Sequence, residues 1–173
     1  RWRYTYSNTP TNFLNIINEH IKPNKIQINH KFNNPNVLIA GCGTGNHICL
    51  TAVNYLNANI LGVDLSLSSL AYAKRKIEEL GLKNIDFLHA DILLLKDLKK
   101  KFDVIECVGV LHHMHDPPQG LKILVDLLEP NGLLLIGLYS EKARQDVIKA
   151  KDFAKKNKFE NSFSGIRNFR EAI

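Results

Sequence analysis

Three glycines, Gly41, Gly43 and Gly45, stand on alternate positions in the stretch VLIAGCGTGNHI, directly after an apolar run and directly before a segment of helical period. Glycine lets the backbone turn through positive φ, and without a Cβ atom it lets a ligand approach the main chain closely. A tight turn alone needs one or two glycines, so three at this spacing favour a ligand loop. Two carboxylates follow: Asp64 in LGVDLS, 19 residues after Gly45, and Asp91 in FLHADILLL. A carboxylate at the end of a second strand can accept hydrogen bonds from a ribose diol. His112, His113 and His115 crowd the stretch VLHHMHDPP, where an imidazole titrating near neutrality could remove a proton as a general base. One histidine is expected to line a substrate pocket and the others to shape the loop. With no cysteine or carboxylate pair beside them they do not read as a metal site, and no metal is expected.

These residues need elements to hold them. Short apolar runs rich in β-branched residues alternate with helical segments: Val37–Ala40, then Asn46–Leu56; Ile60–Val63, then Leu67–Leu80; Ile85–Leu88; Val104–Val108; and Leu133–Leu138. The alternation predicts βαβ units and an α/β fold of the Rossmann-like, doubly wound kind, a mostly parallel sheet with helices on both faces. The second of these helices is the clearest, with Leu67, Leu70, Ala73, Ile77 and Leu80 on one stripe, Ser66 placed to cap its start and Gly81 to end it. Asp116 with Pro117 and Pro118 reads as the start of a further helix. Residues 11–21 read as a preceding helix, and the asparagine-rich Asn24–Asn36 as a loop or linker.

The chain has 173 residues, 45% of them hydrophobic and 23% charged, which suits one domain with a real core. No apolar segment is long enough to span a bilayer and the N-terminus lacks the centre of a signal peptide, so a cytoplasmic protein without a membrane partner is expected. Cys42, Cys49 and Cys107 are odd in number and have no Cys-x-x-Cys spacing, as reduced thiols would. The formal charge of +6 lies in the flanks: Lys/Arg against Asp/Glu run 5 to 1 in residues 1–36, 9 to 11 in 37–140 and 9 to 5 in 141–173. The only basic run is Lys99–Lys101, a solvated turn, so the distribution argues against nucleic acid as a partner.

The glycine spacing also selects among nucleotide-like ligands. A dinucleotide loop needs Gly-x-Gly-x-x-Gly, but the last position falls on Asn46 or Ile48, and a phosphate loop needs a Gly-Lys-Ser/Thr that is absent. An NAD-dependent oxidoreductase is therefore disfavoured.

Over about residues 36–140 the chain resembles the class I S-adenosylmethionine-dependent methyltransferases. The resemblance rests on VLIAGCGTG, ILGVDLS, FLHADI, FDVIECVGVLHHMHDP and LLEPNGLLLIGLY in that order. The last two, with ARQDVIKAK, look most like methyltransferase modules found with tetratricopeptide repeats in bacterial proteins, which implies such a region in the full-length protein. The resemblance implies S-adenosylmethionine as cofactor and methyl transfer to an unidentified acceptor, a small molecule or a protein. Carried over by position, Ala40, Gly41, Cys42, Gly43 and Gly45 would wrap the methionine moiety and Asp64 would hold the ribose. Leu65 and Ile92 would sandwich the adenine, Asp91 would accept from its amino group, and Cys107 and Val108 would offer carbonyls to the ammonium group. His112 and His113 are the candidate catalytic bases. Ile39 stands where the family usually has an acidic residue. The alternative is a module that keeps the fold, or the cofactor, without catalysis.

The domain division expected is a helical lid and linker over 1–35, the cofactor-binding core over 36–140 and a basic helical segment over 141–173. Trp2, Tyr4 and Tyr6 would either lid the cofactor or anchor against the sheet. The resembling fold has seven strands and only five can be counted, the fifth at Gly132–Tyr139. That count, with Arg1 in place of a methionine, predicts a piece of a longer protein lacking its C-terminal strands.

Overall fold

The computed structural model describes residues 34–172 apart from Leu56 and Glu141. The helix expected over 11–21, most of the asparagine-rich linker, and Trp2, Tyr4 and Tyr6 lie outside the described residues.

Five strands form one sheet in the order β3-β2-β1-β4-β5, all pairs parallel. They are β1 (Asn36–Ala40), β2 (Asn59–Asp64), β3 (Ile85–His89), β4 (Phe102–Val108) and β5 (Leu128–Gly137). The chain runs outward from β1 to β3, then returns across the sheet to β4, so the order reverses between β1 and β4. Ligands in such folds bind in the crevice that this reversal opens at the carboxyl ends of the strands.

Both faces of the central strands are covered. Val37 and Ile39 point to one side, where Ile48, Cys49 and Ala52 of α1 (Asn46–Asn54) and Leu70 and Ile77 of α2 (Leu67–Glu79) close the core. Leu38 and Ala40 point to the other. There they meet Ile92 and Leu95 of a 3-10 segment (Ile92–Asp97) and Ile123, Leu124 and Leu127 of α3 (Pro117–Asp126) and its C-cap. A strand buried on both faces reads as a continuous apolar run, which is how β1 showed itself.

Helix α2 follows its sequence signals. Ser66 Oγ accepts from Ser69 N at 3.3 Å, and Gly81 at φ +68 lets its own amide reach the Glu78 carbonyl and Leu82 N reach that of Ile77. The buried stripe is narrower than expected, limited to Leu70, Ala73 and Ile77, whereas Leu67 is 64% exposed. Leu67 opens the first turn, before the helix has come back over the sheet.

The connection from β3 to β4 holds no α-helix. Asp91 Oδ1 accepts from Leu93 N at 2.9 Å, and the following turns are 3-10 with Ile92 and Leu95 buried three residues apart. Strand β5 begins earlier than the apolar run that announced it: Leu128 pairs with Phe102, and the ladder resumes at Val104 with Leu133 after a register shift. The bulge holds the turn-like residues Pro130–Gly132, with Asn131 at φ 65, which hid the strand's start in the sequence.

The chain divides after Leu138 into two compact units. In the second, α4 (Gln145–Lys156) and α5 (Phe163–Ala172) enclose a small aromatic cluster of Phe153, Phe159 and Phe169, with ring centroids 5.6–6.5 Å apart.

Candidate functional site

Beyond Ala40 the chain turns through Gly41 at φ 80, Gly43 at φ 54 and Gly45 at φ 90, all in the left-handed region. The Gly41 and Cys42 amides both donate to the Val63 carbonyl, at 2.8 and 2.9 Å, so the loop hangs on the end of β2. The three glycines have different reasons to lack a side chain. A Cβ on Gly41 would stand 2.3 Å from Val110 Cγ2, and one on Gly45 would stand 2.7 Å from Ala73 Cβ of α2. A Cβ on Gly43 would meet nothing within 4 Å. Gly41 lets two loops meet, Gly45 lets two helices meet, and the space at Gly43 is open.

Asp64 ends β2 and joins two turns. Its Oδ2 accepts from Gly43 N at 2.7 Å and its Oδ1 from Ser66 N at 2.8 Å. Each carboxylate oxygen has a second lone pair for a further donor. Asp64 is thus both a clamp on the glycine loop and a candidate ligand contact.

A cavity of about 420 Å³ lies at the carboxyl ends of the strands. Of the residues singled out from the sequence, Gly41, Asp64, Leu65, Asp91, Ile92, His113 and His115 line it. Ala40, Cys42 and Cys107 do not; their side chains are packed into the core on either face of the sheet. Gly43, Gly45, Val108 and His112 are also absent from the wall. The His112 and His113 rings lie with centroids 4.2 Å apart, yet of these two only His113 reaches the cavity. With His115 it puts two histidines on the wall where one was expected, because the 3-10 turn ends at His113 and the extended Met114 carries His115 back to the cavity. The sequence reading missed Val63, Ala90, Leu93, Gly109, Val110 and Met114, which complete the lining. Each is next to, or two positions from, a residue that was singled out, so the strand ends carried the signal and the individual positions did not.

The size, within the roughly 300–1,000 Å³ of small-molecule pockets, and the chemistry fit an adenosyl cofactor. Open backbone lies at Gly43, carboxylates stand at the ends of β2 and β3, and Leu65, 69% exposed, with Ile92 supplies apolar surface.

The nearby thiols are inert. Burial, then the negative charge of Asp64, pushes Cys42 up to about 12, and burial pushes Cys107 up to about 11. Both stay protonated at neutral pH, and a protonated thiol is a small apolar residue rather than a nucleophile.

The sequence reading also passed over Glu106. It stands in the middle of β4 and is 4% exposed; His47 Nε2 lies 2.5 Å and Thr51 Oγ1 3.1 Å from its Oε2. A carboxylate inside the apolar run VIECV was the available signal.

A family model described as a methyltransferase domain matches residues 31–169. An uncharacterized protein of a Synechococcus strain is 38% identical over 116 residues, which is 65% of this chain and 27% of that protein. The ubiquinone biosynthesis O-methyltransferase of Coxiella burnetii is 36% identical over 98 residues, 57% of this chain and 41% of that one. Among solved structures, PKMT2 from Rickettsia typhi in complex with AdoHcy superposes with a TM-score of 0.63 at 27% identity, covering 70% of this chain and 24% of the other. The chain thus spans less than half the length of each of these three proteins.

Proposed function

The chain belongs to the methyltransferase-domain family, and from that premise we propose that it transfers the methyl group of S-adenosylmethionine to an acceptor that is a small molecule or a protein. The observation that carries this reading is the cavity at the β1–β4 reversal, with Asp64 and Asp91 in its wall and the glycine loop fastened to Asp64.

The bound cofactor supplies a methyl group made electrophilic by a sulfonium, so alignment of an acceptor is the larger part of what the protein must provide. Gly43 presents backbone with no side chain in the way, and Gly41 lines the cavity beside Val110. Asp64 would accept from the ribose hydroxyls while holding Gly43, and Asp91 would accept from the adenine amino group. Leu65 and Ile92 would exclude water from the adenine faces, and the carbonyls of Cys107 and Val108, just before the wall residue Gly109, would face the ammonium group. His113 is the better placed of the two candidate bases because it lines the cavity, and it takes the acceptor's proton on a ring nitrogen. The cofactor site belongs to the core over 36–140. A cytoplasmic setting rests on the odd number and the spacing of the three cysteines, which read as reduced thiols. A tetratricopeptide-repeat region elsewhere in the full-length protein rests on the likeness of the C-terminal motifs alone.

Titration calorimetry tests the reading. S-adenosylhomocysteine should bind and NAD should not. Asp64→Ala should weaken binding by about 1–3 kcal/mol, the scale for leaving buried polar partners unpaired. Binding of NAD in preference, or full affinity in a folded Asp64→Ala variant, would refute it.

A further inference from the structure

Glu106 is a charge in a strand covered on both faces, with Ile105 and Cys107 on either side of it fully buried in the opposite core. A buried carboxylate persists only where it is paired and hydrogen-bonded. Both partners come from α1. His47 and Thr51 sit one turn apart, and Thr51, 5% exposed, also lies 3.2 Å from the His47 carbonyl. Tyr55, one turn further on, is pushed up to about 12 by burial and by the Glu106 charge. One side of α1 therefore faces a single carboxylate, which stands opposite Ile39 in the β1–β4 ladder.

The start of α1 has no local fastening. Its N-cap is Gly45, no side chain caps it, and its first turn carries no acidic residue. A helix start of this kind leaves its amides available to a ligand, but nothing within the helix fixes where they point. The loop and the helix are one hydrogen-bonded piece: Gly45 N donates to the Cys42 carbonyl and Cys49 N to that of Gly45, both at 3.0 Å. A shift of α1 would carry the glycines with it. Asp64 holds the other side of the loop through Gly43 N.

We propose that Glu106 is a positioning residue for the glycine loop: acting through His47 and Thr51, it fixes α1 on the sheet and so sets the loop's shape before a ligand arrives. The identity of that ligand rests on the proposed function; the fastening does not.

The test uses the full chain and the variants His47→Ala, His47→Gln and Glu106→Gln, chosen because His47 is partly exposed and the Glu106 change keeps the side chain's shape. Backbone amide exchange is followed without ligand, and affinity is measured with S-adenosylhomocysteine. His47→Ala and Glu106→Gln should speed exchange over Gly45–Ala52 by about tenfold or more while amides of β3 and α3 keep their rates, as a local opening does. Both should weaken S-adenosylhomocysteine by about tenfold, and the double variant should be no worse than the poorer single one, since the two act as one unit. His47→Gln, which still offers a donor to the carboxylate, should recover most of both effects. Unchanged exchange, or equal acceleration throughout the chain, would overturn the proposal, as would faster local exchange with unchanged affinity. Should the wild-type chain not bind S-adenosylhomocysteine, the proposed function fails, and the exchange rates alone decide this inference.

Discussion

His112 and His113 are adjacent in the sequence, and the 3-10 turn that carries them gives them different surroundings. His113 N donates to the Val110 carbonyl at 2.8 Å, and His113 lines the cavity while His112 is absent from its wall. If His113 is the base, His113→Ala should lower turnover by about 100-fold or more with cofactor affinity nearly intact, while His112→Ala should leave turnover far less affected. Steady-state rates with calorimetry on the same samples decide between them. The thiols give a second test. Because the raised values of Cys42 and Cys107 mean that the folded chain holds these protons more tightly than the unfolded chain does, their contribution to stability is complete below pH 9 and falls as pH rises towards 11–12. Denaturant midpoints should accordingly decline above pH 9. Iodoacetamide at pH 8 should leave both cysteines unmodified until the protein is unfolded.

At the scale of elements, the glycine loop shows that a motif can be legible while the reason for each of its members is not. The alternate spacing announced a sharp loop after β1, and the three glycines do turn the chain there through positive φ. The sequence could not reveal that Gly41 is required by Val110, which is 69 positions away, or Gly45 by Ala73 of α2. Gly41→Ala should therefore displace Val110 as well as strain a residue at φ 80, with a loss of stability of about 1–3 kcal/mol and weakened cofactor binding. The double variant Gly41→Ala, Val110→Ala should regain part of the stability by removing the clash while keeping the backbone strain. Equal midpoints for the single and double variants, by denaturant unfolding, would show that the clash contributes nothing. The 3-10 segment after β3 and the bulge at the start of β5 were illegible for a related reason. Both are set by what the neighbouring strand and helix leave room for, and neither has a period of its own.

For the molecule as a whole, the sheet separates two cores that share only the strands. Ile48 of α1 and Leu124 of α3 are both fully buried, on opposite faces. Each change to alanine should cost about 2–5 kcal/mol. Because the sites share no partner, the double variant should lose the sum to within about 0.5 kcal/mol, measured as denaturant midpoints at unchanged slope. A markedly smaller combined loss would mean that the two faces are not independent.

By itself the sequence determined the alternation of strands and helices, the parallel sheet, the carboxylates at the ends of β2 and β3 and the glycine loop between β1 and α1. Those are local matters: side-chain period, capping residues and turn residues act over a few positions, so a linear reading recovers them. Only the tertiary structure decided that Asp64 clamps the loop it was expected to serve through ligand alone, that His113 rather than His112 lines the cavity, and that Glu106 is buried against His47 and Thr51. Each of those depends on two segments meeting, 21 positions apart for Gly43 and Asp64 and 59 for His47 and Glu106. Only the tertiary packing fixes which of the many polar groups along a chain become neighbours, since hydrogen bonding and burial depend on distance in space and carry no mark in sequence separation.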